Sequence, residues 1–160
     1  MTEEEERCFV KLAEALITRA DYQKRIEQLK MRISNNVKIQ EGEQPAEDPN
    51  VLLTELNDVL KELTSLIQRI NRMNCSVAFD DTRTLADALT ERDQLWEKRL
   101  VLSKVAEQAS VRTDRYSRAE IKVISSVDVV GIQKQVDQLS KEFRELDTKI
   151  QGLNWSVDLL

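Results

Sequence analysis

Eight apolar residues near the C-terminus, Val129, Ile132, Val136, Leu139, Phe143, Leu146, Ile150 and Leu153, follow one another at steps of three and four without a miss. In an α-helix that spacing keeps one side apolar through every turn, because residues three and four apart share a face. At 1.5 Å per residue the stripe runs for roughly 37 Å. A rod of that length cannot bury its own stripe and must lie against other helices. The requirement narrows the chain to a helical bundle or a coiled coil.

The rest of the 160 residues agree with that demand. Charged residues make up 33% and aromatics only 4%, with three Gly and two Pro, a mix suited to long packed helices. A second stripe, Leu53, Leu56, Leu60, Leu63, Ile67 and Ile70, steps 3-4-3-4-3, with Leu52, Val59, Leu66 and Met73 as a flanking column. Its opening, "DPNVL", places Asp48 at an N-cap and Pro49 at the first helical position. A helix is also predicted from Thr2 to Asn35, on Leu12, Leu16, Ala20, Ile26, Leu29 and Ile33, with Glu3–Glu6 in its opening turns. The third, from Leu85 to about Val111, opens with Thr84 and Asp87 as a shortened capping box. Its apolar residues face more than one direction, and Arg92 and Arg99 interrupt one stripe, so it touches two neighbours or lines a polar interior. Ser125 and Asp128 offer a similar box before the fourth helix.

The predicted fold class is therefore all-α: an elongated antiparallel four-helix bundle or coiled coil, forming one domain over residues 1–160. Residues 1–9 read as an acidic extension and 41–49 as an acidic, proline-containing loop. Residues 37–40 and 121–125 alternate apolar and polar, which predicts a small β ribbon at one end of the bundle. The tail, ending in Trp155, Val157, Leu159 and Leu160, is apolar enough to dock. Stripes this wide leave surplus apolar surface, which predicts a homo-oligomer joined through the heptad seams.

Charge and composition exclude several function classes. A net charge of −5 argues against a nucleic-acid binder, whose domain is usually basic. There is no histidine, no CxxC, and no P-loop, GxGxxG or GxSxG motif, so no catalytic residue, metal ligand set or cofactor site is assigned. Carboxylate pairs such as Glu55/Asp58 and Glu142/Glu145 read as exposed acidic faces. The start "MTEEEER" is the reverse of a secretory leader, and Cys8 and Cys75 lie far apart, so a cytoplasmic protein is expected. No apolar run approaches the ~20 residues of a membrane-spanning helix.

Two groups of residues remain as candidate sites. In "RTDRYSRAEIK" (112–122), Arg112, Arg115, Arg118 and Lys122 surround Tyr116. Guanidinium groups bind phosphate bidentately and a tyrosine ring stacks on bases, which defines an anion, nucleotide or nucleic-acid site. The competing reading pairs these cations with the seven carboxylates of residues 41–62, and the overall acidity favours it. The second group is Asn71 and Asn74, with Arg69 and Arg72, in "RINRMN" together with Asn35 and Asn36: an anion site or, as the commoner role, helix caps and subunit bridges, with Asn74 also a polar residue that fixes register.

The segments "LAEALITRADYQKRIEQLKMRISNN", "QEGEQPAEDPNVLL", "RINRMN", "TLADALTERD", "YSRAEIK" and "RELDTKIQGLNW" follow in an order that resembles the septicolysin-like family of small bacterial proteins, over residues 10–160. The resemblance implies no catalytic residue to carry over. The family's name implies a membrane-active cytolysin as a further alternative. The leading expectation is a non-enzymatic, self-associating scaffold module whose other partners are unknown, with the anion-binding module second.

Overall fold

The computed structural model describes residues 10–110 and 124–159. The chain is all-α. Among the described residues it forms α1 (Leu12–Asn36), α2 (Pro49–Ser76), α3 (Leu85–Ser110) and α4 (Val129–Ser156). It divides into two compact units, one of Met1–Val77 with Gly152–Leu160 and one of Ala78–Gln151.

In the first unit α1 and α2 run antiparallel. Arg25 donates to Glu55 from Nε at 3.2 Å and Nη2 at 2.8 Å, while nearer the loop Arg32 pairs with Glu47. The core is Ile26, Leu29, Leu52, Val59 and Leu63, with Tyr22, Ile33, Leu56 and Ile67 packed against it. The buried residues reveal a different register from the one the leucines suggest. On α2, Leu52, Val59, Leu63, Ile70 and Met73 are buried, whereas Leu53 and Leu60 are 44% and 41% exposed. The inward row is Leu52, Leu56, Val59, Leu63, Leu66, Ile70 and Met73, spaced 4-3-4-3-4-3. The supposed flanking column is thus half of the real seam. On α1 the inward row is Leu12, Ala15, Arg19, Tyr22, Ile26, Leu29, Ile33 and Asn36, another unbroken 3-4 repeat. Small and polar residues at four of these positions disguise it.

Helix ends follow local chemistry. The Asp48 carboxylate accepts from the Asn50 N–H at 2.8 Å and Pro49 opens α2, as expected. Glu14 accepts from the Lys11 N–H at 2.9 Å, satisfying a free donor at the start of α1. The tail docks beside it. Leu12 N–H donates to Val157 O at 2.9 Å, Leu159 N–H donates to Val10 O at 2.7 Å, and Lys11 pairs with Asp158 at 2.6 Å.

Among the described residues the expected β ribbon is not formed. Val37 carries α-helical dihedrals and its N–H donates to Ile33 O, so it closes α1 instead of opening a strand. Residues 38–40 are irregular, and half of the proposed partner, 121–123, lies outside the described residues. A tight turn follows, in which Glu43 N–H donates to Gln40 O at 3.0 Å and Gly42 takes φ +90°, a conformation that a Cβ disfavours.

In the second unit α3 and α4 are antiparallel. The predicted seam of α4 faces inward, with Val136, Leu139 and Ile150 buried. Thr84 and Asp87 form the expected reciprocal cap: Thr84 N–H donates to the carboxylate at 2.8 Å, and Asp87 N–H donates to the hydroxyl at 3.2 Å. The box expected at Ser125 is replaced. Its hydroxyl is engaged with Val127, and Asp128 itself precedes the first residue of α4, its C=O accepting from Ile132 N–H.

Candidate functional site

Arg92 and Arg99 sit in the seam of α3 and do not interrupt it. Leu85, Ala88, Arg92, Leu95, Arg99, Leu102 and Ala106 step 3-4-3-4-3-4, and the two ends of the row are buried. Each arginine finds a polar group on α4. Arg92 Nη1 lies 3.4 Å from Asp147 Oδ1, and its Nε and Nη2 donate to Asp93 at 3.0 and 2.7 Å. Arg99 Nε donates to Ser140 Oγ at 2.8 Å, and that hydroxyl donates to Val136 O at 2.7 Å. Between them Trp96 packs against Phe143 with ring centroids 5.1 Å apart, and the Arg99 guanidinium lies 4.7 Å from the indole centroid. Among the described residues Arg99 has no carboxylate partner. Its charge is held by a hydroxyl and by the face of an aromatic ring, a cation–π contact. Trp96 remains 42% exposed and Leu100, one turn on, 44%.

The loop before α3 is built around Asp80. Its Oδ1 accepts from Thr82 N–H at 3.0 Å, Thr82 Oγ1 at 3.1 Å and Arg83 N–H at 2.9 Å; its Oδ2 accepts from Arg83 Nε at 2.8 Å. Arg83 also pairs with Glu91 and lies 5.1 Å from the Phe79 ring centroid. The Arg83 side chain holds the Asp80 carboxyl well below the usual range, helped by the Thr82 N–H. Hydrogen bonds from Thr84 lower Asp87, and Arg32 lowers Glu47. Carboxylates with depressed folded pKa values contribute stability above their unfolded pKa and lose it as pH falls through the folded one. The urea midpoint is therefore expected to hold steady above about pH 5 and to fall progressively below about pH 4, less steeply in Asp80→Asn. A midpoint unchanged down to about pH 2 would contradict this role for the three carboxylates.

The first unit holds a cleft of about 310 Å³ lined by Val10, Ala15, Tyr22, Glu62, Leu66 and Leu159 among others. A hydrogen bond with Glu62 raises the Tyr22 hydroxyl above its ordinary value, with a smaller contribution from burial. One turn away in the α1 seam, Arg19 Nε is buried without a hydrogen-bond partner among the described residues.

Arg112, Arg115, Tyr116, Arg118 and Lys122 all lie outside the described residues. The acidic segment they were matched with finds cations elsewhere: Glu47 pairs with Arg32, Glu55 with Arg25 and Asp58 with Lys61, while Asp48 caps α2. Asn36 is 9% exposed; its Nδ2 donates to Arg32 O at 2.8 Å and its Oδ1 accepts from Glu47 N–H at 3.0 Å. Asn35 and Asn71 are exposed, and Asn74 is half-buried one residue past the buried Met73. Sequence reasoning missed Arg19, Tyr22, Arg92 and Arg99 as members of seams. Counting sevens through the polar positions finds them.

Among the described residues no helix is long and apolar enough to cross a membrane, and no group of three or more His, Cys, Asp or Glu side chains converges for a metal ion. The chain is thus an all-α protein of helical hairpins with polar residues set into their seams. It belongs to DUF6847, a family of unknown function, which matches residues 19–159. A functionally unknown conserved protein from Corynebacterium diphtheriae, solved by crystallography, shares 44% identity at a TM-score of 0.89, over 95% of this chain and 99% of its own. No curated protein matches the sequence. The family match corrects the septicolysin-like resemblance, and the cytolysin alternative loses the name it rested on. That resemblance rested on short segments drawn largely from helices, whose heptads and charged faces recur in unrelated helical proteins.

Proposed function

We propose that this chain is a non-enzymatic interaction module that acts by self-association. The observation that carries the reading is the exposed pair Trp96 and Leu100, on a helix whose inward stripe is already committed to α4. A half-exposed indole that is fixed from behind by Phe143 and Arg99 is a rigid, preorganised anchor, the type of residue that dominates binding energy at interfaces. Leu53 and Leu60 on α2 add further exposed apolar surface. No arrangement of side chains among the described residues suggests a reaction for the module to perform. A self-associating protein is stabilised by mass action, so its thermal midpoint rises with protein concentration. A midpoint that stays constant while the concentration rises from sub-micromolar to high micromolar contradicts the proposal.

A further inference from the structure

The seam of α3 against α4 is not the only regular row on that helix. Leu89, Asp93, Trp96, Leu100, Ser103 and Glu107 step 4-3-4-3-4, a second row displaced by about a quarter-turn from the first. Its two central members are the half-exposed Trp96 and Leu100, while Asp93 and Glu107 at either side are exposed. A short apolar centre with charged ends fits one more helix, and the pattern identifies which.

We infer that this row is a two-fold interface for the α3 helix of a second copy of this chain, packed antiparallel; the inference rests on the self-association proposed above. In an isologous pair the same patch must complement itself. With the axis midway between Trp96 and Leu100, the indole of each copy lies over Leu100 of the other. Asp93, Glu97 and Lys104 share the outer flank of the row, on the side away from the α4 seam. Antiparallel packing sets that flank against its own copy. Lys104 of the second copy then falls opposite Asp93, and the two-fold repeats the arrangement. The Asp93 carboxylate, though paired with Arg92, is 65% exposed and keeps room for a second cation. Lys104 is exposed and has no ion pair among the described residues. Polar Ser103 and the acids at the ends keep the contact short, so the aromatic centre fixes the register.

Sedimentation equilibrium of the 160-residue chain tests the arrangement through a charge-swap cycle at surface positions, with circular dichroism confirming that each variant folds. Lys104→Glu and Asp93→Lys each set like charges opposite one another twice, and each is expected to weaken the dimer about tenfold or more. The double variant restores opposite charges and is expected to return to within about threefold of wild type. Trp96→Ala removes the anchor and is expected to weaken association on the order of 30-fold. If wild type associates while both single charge variants retain its affinity, or the double variant fails to recover, this interface is overturned and self-association stands. A monomeric wild type overturns both.

Discussion

Leu29→Ala is expected to lower the unfolding free energy by about 2–5 kcal/mol, and Leu60→Ala by no more than about 0.5 kcal/mol. Leu29 is 1% exposed within the cluster of Ile26, Leu52, Val59 and Leu63, so truncation removes methyl groups from a packed site that cannot fully collapse. Leu60 stands at 41% exposure, where water already reaches the side chain. The contrast tests the register of α2, because the row of leucines at 53, 56, 60 and 63 would place Leu60 in the core beside Leu63. Urea unfolding of the two variants, measured on dilute protein, reads the difference directly. Equal losses would show that the helix packs on the Leu53–Leu60 column, contrary to the buried row described above.

The second large effect is expected at Asn36. Its side chain joins the end of α1 to the acidic loop through the Arg32 carbonyl and the Glu47 N–H, and the residue is 9% exposed. Asn36→Ala removes both bonds and leaves the Glu47 N–H without that acceptor, a loss of about 1–3 kcal/mol. Asn35→Ala, at an exposed neighbour without such bonds, is expected to be neutral within about 0.5 kcal/mol. A loss at Asn35 equal to that at Asn36 would mean that the pair acts only through helix-ending propensity. A further signature belongs to Asn36 alone: amide exchange at Glu47 is expected to accelerate in Asn36→Ala, because that N–H loses its acceptor.

These residues show where the fold was legible and where it was not. The α4 seam could be read directly, since every position in it is Val, Ile, Leu or Phe. So could the caps at Asp48 and Thr84, whose side chains act within a few residues of themselves. The α2 seam was misplaced because ten apolar residues fill two adjoining columns, and hydrophobicity alone does not choose between them. Tertiary contact with α1 makes the choice, burying Val59 and leaving Leu60 outside. The seams of α1 and α3 were harder, for Arg19, Tyr22, Arg92 and Arg99 occupy positions where a heptad search expects Leu. Long side chains resolve the conflict by laying apolar stems along the helix and carrying the polar end to a partner, as Arg99 does with Ser140 and Trp96. The ribbon at 37–40 failed for a local reason: Val37 is spent closing α1, and Gly42 turns the chain before an extended segment forms.

The exposed Trp96–Leu100 pair was visible only in part, as a helix that faces two ways. Its meaning depends on knowing which of α3's two rows lies against α4, and that follows from contacts remote in sequence, Arg92 with Asp147 and Trp96 with Phe143. With that row assigned, the second is the one proposed to meet another copy.

Native mass spectrometry of the 160-residue chain at micromolar concentration bears on self-association most directly. The expected result is a dominant species at twice the 18.5 kDa chain mass. A single 18.5 kDa species throughout the micromolar range would contradict it.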